Sequence, residues 1–129
     1  MSLLFDFPTR ADAPVVVVGA GQSGLAAARA LSELNVPAVV LDAGDRPAGS
    51  WPHYYDSLRL FSPAAYSSMP GRPFPGDPDG YPDRDEVADY LEQQAAALPV
   101  EIHTNTPVAT IRQEDREFVV VTDDGSELP

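Results

Sequence analysis

Three glycines and one acid in this chain have a spacing that can hold a nucleotide: Gly19, Gly21 and Gly24, then Asp42. In such a turn Gly19 permits the sharp exit from a strand. Gly21, lacking a Cβ, lets a pyrophosphate come close to the backbone, and Gly24 lets the next helix pack tightly on a sheet. The pyrophosphate meets unpaired N–H groups at the helix start, where the helix dipole also favours negative charge. A carboxylate at the end of the following strand accepts hydrogen bonds from the ribose 2′ and 3′ hydroxyls and repels a 2′-phosphate. The residues therefore predict FAD or NAD rather than NADP, and the pattern alone does not separate those two. The plain alternative is a tight turn beside a solvated Asp. Strand, helix and acid all in place favour the nucleotide.

Those residues need particular elements to position them. Val15 to Val18 is an unbroken β-branched run and predicts a strand buried on both faces. The Ala- and Leu-rich stretch from Leu25 to Leu34 predicts a helix with Leu25, Ala28 and Leu31 on one face. Asn35 tolerates the left-handed conformation that ends helices, and Pro37 blocks continuation. Ala38 to Leu41 is a second strand ending at Asp42, which completes a βαβ unit.

Beyond Asp42 the character changes. Eight of the 14 prolines lie between Pro47 and Pro82, interleaved with Trp51, Tyr54, Tyr55, Phe61, Tyr66 and Phe74. Those aromatics call for burial, so the stretch reads as an ordered loop wrapped over a surface or a ligand. Asp83 and Glu86 have capping-box spacing at the start of a helix that carries Val87, Leu91 and Leu98 on one face. The acidic residues from Asp77 to Glu92 read as a solvated face with favourable charge at that helix's start. Strands are predicted at Val100 to Thr104, Val108 to Arg112 and Glu117 to Thr122, with a further hairpin opening at Asp124-Gly125.

Composition narrows the function classes. A chain of 129 residues with 43% hydrophobic content suits one small domain with a packed core. Twenty acidic residues against eight basic ones give a net charge of −12, which argues against nucleic acid and anionic membrane surfaces. All eight cations are Arg, so neither a Schiff-base lysine nor a Walker-type phosphate lysine is available. The absence of Cys removes thiolate zinc sites and dithiol redox chemistry, and no metal site is predicted. Residues 1–13 are read as an N-terminal arm without the basic and apolar regions of an export signal, and the expected setting is cytoplasmic. Residues 14–129 are read as the nucleotide-binding domain.

The run from Val15 to Asp42, followed by Ala48-Gly49-Ser50-Trp51, resembles the start of the flavin-containing and Baeyer–Villiger monooxygenases, flavoproteins with two dinucleotide-binding domains. Tyr55-Asp56-Ser57-Leu58-Arg59-Leu60-Phe61-Ser62-Pro63 is similar to that family's next loop, and Pro73-Phe74-Pro75 and Tyr81-Pro82 also fit. The resemblance covers nearly all of the chain after Ala13. It implies FAD as the cofactor and a partial Rossmann-like, doubly wound parallel sheet of α/β class with an antiparallel β-meander. It places Gly19, Gly21, Gln22, Ser23 and Gly24 at the pyrophosphate, Asp42 at the ribose, and Ala43 and Arg46 near the adenosine. Ser50 and Trp51 fall along the pyrophosphate-to-flavin edge, and the Val108 backbone at the adenine. Trp51 serves equally as a loop anchor, and Arg46 as a surface charge.

Two departures qualify the match. Many relatives have an Asn near the flavin where this sequence has Phe61, and Ala48 replaces the first glycine of their Gly-Gly-x-Trp segment. A second glycine fingerprint for NADPH is absent, so the sequence is read as truncated before the NADPH-binding domain. Its sheet edges are then open to self-association. The expected function is the FAD-binding portion of an NADPH-dependent oxidoreductase, most simply a monooxygenase, not competent as this piece alone. No side chain is assigned as a catalytic acid, base or nucleophile. The alternatives are a flavin-dependent reductase that does not oxygenate and a nucleotide-binding module without turnover. The substrate is not legible.

Overall fold

In the computed structural model, which describes residues 14–128, two sheets and two helices stack in three layers. Strand β1 (Val15–Val18) leads through the glycine turn into helix α1 (Gln22–Glu33), then into β2 (Ala38–Leu41). A long loop with two short 3₁₀ turns, Trp51–His53 and Ala64–Tyr66, connects to α2 (Arg84–Ala97) and β3 (Glu101–His103). These three strands make a parallel sheet in the order β1-β2-β3, with Val15 opposite Ala38 and Val39 opposite Glu101. Strands β4 (Val108–Glu114), β5 (Glu117–Thr122) and β6 (Glu127–Leu128) form an antiparallel meander. The α/β class and the partial Rossmann-like sheet with attached meander are those the sequence predicts. The arm at residues 1–13 lies outside the described residues.

Alternation along β2 decides which layer packs where. Val40 points into a core shared with Leu25 and Ala28 of α1 and with Val87, Ala88 and Leu91 of α2. Its neighbours Val39 and Leu41 face the other way, against Val120 of β5 and Leu128 of β6. Both helices thus cover one face of the parallel sheet and the meander covers the other. This makes β2 the strand buried on both faces.

The same reading fails for β1. Val15 is 44% and Val18 53% exposed. Among the described residues the strand is at the edge of the sheet, and only Val16 and Val17 of it reach the two cores. A β-branched run identified the strand correctly but not its rank in the sheet.

Helix ends follow local chemistry. After the C-cap Leu34, Asn35 takes φ 56°, the left-handed turn that its short amide tolerates. At α2 the capping box forms in full: Asp83 accepts the Glu86 N–H at 2.8 Å, and Glu86 accepts the Asp83 N–H. The buried stripe of α2 also includes Tyr90 and Gln94, which apolar periodicity does not pick out.

The aromatic loop corrects a second expectation. Phe74 is buried, stacked on Tyr90 with ring centroids 4.5 Å apart. Tyr55, Phe61 and Tyr66 are instead exposed, Phe61 almost completely. The loop meets α2 through Leu60, Ala64, Met69 and Phe74, and these three aromatics fall on its outward side.

Candidate cofactor site

The glycine turn is built by close backbone packing. Gly19 has φ 100°, a conformation side chains rarely adopt, and its N–H donates to Leu41 O at 2.7 Å. A Cβ on Gly24 would collide with the Gly19 carbonyl, so the first turn of α1 can lie on the end of β1 only as glycine. Gly21, the N-cap of α1, carries no side chain to cap the helix, and no acidic residue occupies the first turn. The Leu25 N–H is bonded to Gly21 O at 2.9 Å. The N–H groups ahead of it have no intrahelical acceptor, a consequence of helix geometry.

Opposite the turn stands the loop from Gly49 to Tyr54. Gly49 has φ 61°, and a Cβ there would come within 3.0 Å of the Gly21 Cα. Two glycine backbones therefore meet where side chains would block them. Together they wall a cleft of about 350 Å³ lined by Val18, Gly19, Gly21, Gln22, Ser23, Gly24, Gly49, Ser50, Trp51 and Tyr54. Trp51 closes one side: its Nε1–H donates to Gln22 Oε1 at 3.2 Å, and its ring meets Tyr54 edge-on at 5.1 Å. Behind that pair lies a second, more apolar hollow of about 400 Å³, with Leu60, Met69, Phe74, Val87 and Tyr90 in its wall.

The cleft therefore unites Gly19, Gly21, Gln22, Ser23, Gly24, Ser50 and Trp51. The other expected residues sit elsewhere. Asp42 is 7% exposed, and its two oxygens accept the N–H groups of Ala20 and Gly44. Ala43 is exposed beside it. Arg46 turns to α2: Nε and Nη2 bind Glu92 at 2.9 and 2.7 Å, and Nη2 reaches Asp89 at 3.0 Å. The Glu92 hydrogen bond, and behind it Asp89, raises the Arg46 pKa above its already high value. Two of the acids assigned to a solvated face are thus ion-pair partners. Val108 opens β4 and packs against the core between the sheets.

Sequence reasoning left Gly49 and Tyr54 off the site. The signals were present. Gly49 sits in the Ala-Gly-Ser-Trp segment, and Tyr54 follows Trp51 by the three residues that align side chains in a 3₁₀ turn.

Residues 16–127 match the family model described as pyridine nucleotide-disulphide oxidoreductase. The chain belongs to that family. Among its relatives, an uncharacterized CzcO-like oxidoreductase of Geobacillus kaustophilus is 43% identical over 112 residues, covering 87% of this chain and 32% of that protein. A probable indole-3-pyruvate monooxygenase of Arabidopsis thaliana, YUCCA8, is 42% identical over 101 residues, with 78% and 24% covered. The solved flavin-containing monooxygenase from Stenotrophomonas maltophilia superposes with a TM-score of 0.83 at 39% identity, covering 89% of this chain and 35% of that one. The chain thus spans about a third or less of the relatives it matches. The 129 residues contain no cysteine, so no dithiol chemistry resides in them. No helix among the described residues is long and apolar enough to cross a membrane.

Proposed function

We propose that this chain is the FAD-binding region of a flavoprotein oxidoreductase of the monooxygenase type. The observation that carries the reading is the glycine-walled cleft at the uncapped start of α1, closed by Trp51. Such a site suits a diphosphate: the backbones of Gly19, Gly21 and Gly24 give it room, and the N–H groups of Gln22, Ser23 and Gly24 offer donors. Ser50 adds a hydroxyl at the rim. Trp51 offers an apolar wall toward the flavin end, and Asp42 keeps further lone pairs for a ribose hydroxyl. Support for FAD over NAD comes from the relatives, whose names include flavin monooxygenases; a more distant neighbour was solved with FAD and NADP.

The flavin supplies the redox chemistry when bound, and the chain's own residues bind, orient and shield it. NADPH is the expected co-substrate of the whole enzyme, and no residue of this chain is assigned to it. Among the described residues the cleft is lined by no Asp, Glu, His or Arg, which favours a second, narrower reading in which the chain by itself binds without turnover. The cytoplasmic setting and association through open sheet edges belong to the same proposal.

The test is direct. The chain is incubated with FAD and separately with NAD, desalted and denatured, and the released ligand is identified by its absorption spectrum. Stoichiometric release of yellow flavin is expected. Retention of NAD alone, or of neither, refutes the flavin reading. The isolated chain is expected not to oxidise NADPH.

A further inference from the structure

Trp51 stands on the boundary between two spaces, the cleft at the glycine turn and the apolar hollow behind it. Among the described residues only Trp51 and Gln22 line both. The Trp51 backbone is set by its 3₁₀ turn: its N–H donates to Ala48 O at 3.4 Å, and its carbonyl accepts the Tyr54 N–H at 3.3 Å. Pro52, next in the chain, stiffens that turn. The indole N–H is a donor only, with one proton to give. It gives it to Gln22 Oε1, at 3.2 Å. Gln22 is the first residue of α1, directly after the N-cap Gly21. The residue that opens the helix on one side of the cleft therefore also ties down the ring on the other.

The hollow offers the ring another place to sit. One helical turn beyond Gln22, Ala26 puts only a methyl group into its wall, and Leu60, Met69, Phe74 and Val87 make much of the rest apolar. Its volume of about 400 Å³ is that of pockets that take small-molecule ligands, and has room for an indole. Burial in such a space favours a large aromatic ring, and the bond to Gln22 opposes it. From this geometry we infer that Gln22 is a positioning residue whose side-chain amide latches Trp51 as the partition between cleft and hollow. The latch keeps the indole in place as the wall of the flavin end. This rests on the cofactor reading of the cleft and adds a role for the Gln22 side chain, distinct from the backbone N–H that any residue there would supply.

Trp51 is the only tryptophan in the 129 residues, so fluorescence of the full ligand-free chain reports on this ring alone. Gln22→Met keeps the length and helix propensity of the side chain but removes its strong acceptor. Its emission is expected to move to shorter wavelength as the indole enters the hollow. Gln22→Glu retains an acceptor oxygen and places an acid in the first turn, where the helix dipole favours it. That variant is expected to keep the wild-type emission. Emission of Gln22→Met that is unchanged or moves to longer wavelength overturns the latch, and so does an equal shift in both variants.

Titration with FAD supplies a second arm. Gln22→Met is expected to weaken binding about fivefold, which is about 1 kcal/mol, the ordinary net size of one hydrogen bond. On a Trp51→Phe background the same substitution is expected to leave affinity within about twofold, because the group it acts through is gone. Equal losses on the two backgrounds, or no loss on either, overturn the latch. If the wild type binds no FAD, the cofactor reading falls, and the ligand-free emission alone decides whether Gln22 holds Trp51.

Discussion

At the residue scale the site is a matter of where side chains are missing. The Gly24 position faces the Gly19 carbonyl, and Gly49 faces the Gly21 Cα, so a methyl group added at either would push backbone against backbone. Backbone cannot rotate away as a flexible side chain does. Gly24→Ala should therefore cost about 1–3 kcal/mol, the usual range for overpacking, and should abolish flavin retention more completely than it lowers stability. Thermal denaturation and the flavin-release assay on the same variant check this together. A variant that melts normally and keeps its flavin would show that α1 can lift off β1 without loss. Spacing in the sequence revealed Gly19, Gly21 and Gly24 because their roles are local. It could not reveal that Asp42 also accepts from Ala20 and Gly44, or that Arg46 reaches Glu92. Those partners depend on how distant segments come together, and composition is blind to that.

At the element scale α2 acts as the post to which the proline-rich loop is fastened. The Tyr90 hydroxyl donates to Arg72 O at 2.6 Å and accepts the Met69 N–H at 2.8 Å and a Gln94 Nε2–H at 3.0 Å. Tyr90→Phe keeps the stacked ring but strands these groups, at a cost of about 1–3 kcal/mol. Limited proteolysis of the 67–75 segment should accelerate along with the fall in melting temperature. The loop's order was legible in its prolines, whereas the tyrosine that secures it was not, since polar residues on a buried stripe break the apolar pattern. The β5–β6 turn adds a pH dependence. Asp124 accepts from the Thr122 hydroxyl and, at 2.9 Å, from the Ser126 N–H, and the Thr122 bond chiefly lowers its pKa below the ordinary 3.8. A folded pKa below the unfolded one means the contribution is complete above pH 3.8 and lost as pH falls through the lower folded value. The melting-temperature gap between wild type and Asp124→Asn should thus be constant near neutrality and close below about pH 4. A gap that widens with acid would contradict the assignment.

At the scale of the whole molecule, two opposed tendencies meet on one surface. Among the described residues nothing pairs with the outer edge of β1, and Val15 and Val18 stand exposed along it. An apolar strand edge is a template for pairing with another chain. Against this, a net charge of −12 on a 13.8 kDa chain makes copies repel. The strands were legible, but the layer order, set by Val39, Val40 and Leu41 serving two cores, and the edge position of β1 were not. A run of four valines reads the same in the middle of a sheet as at its margin. The balance between the two tendencies can be tested with salt, because the Debye length shrinks from about 30 Å at 0.01 M to about 8 Å at 0.15 M while burial of valine is hardly affected. Association measured by sedimentation should therefore increase with ionic strength, and Val15→Lys, which places a charge on the edge without touching the cleft, should suppress it. An ionic interface would respond in the opposite sense, weakening as salt is added. Sedimentation that stays monomeric at every salt concentration would mean that the β1 edge is covered, or too short to template a partner.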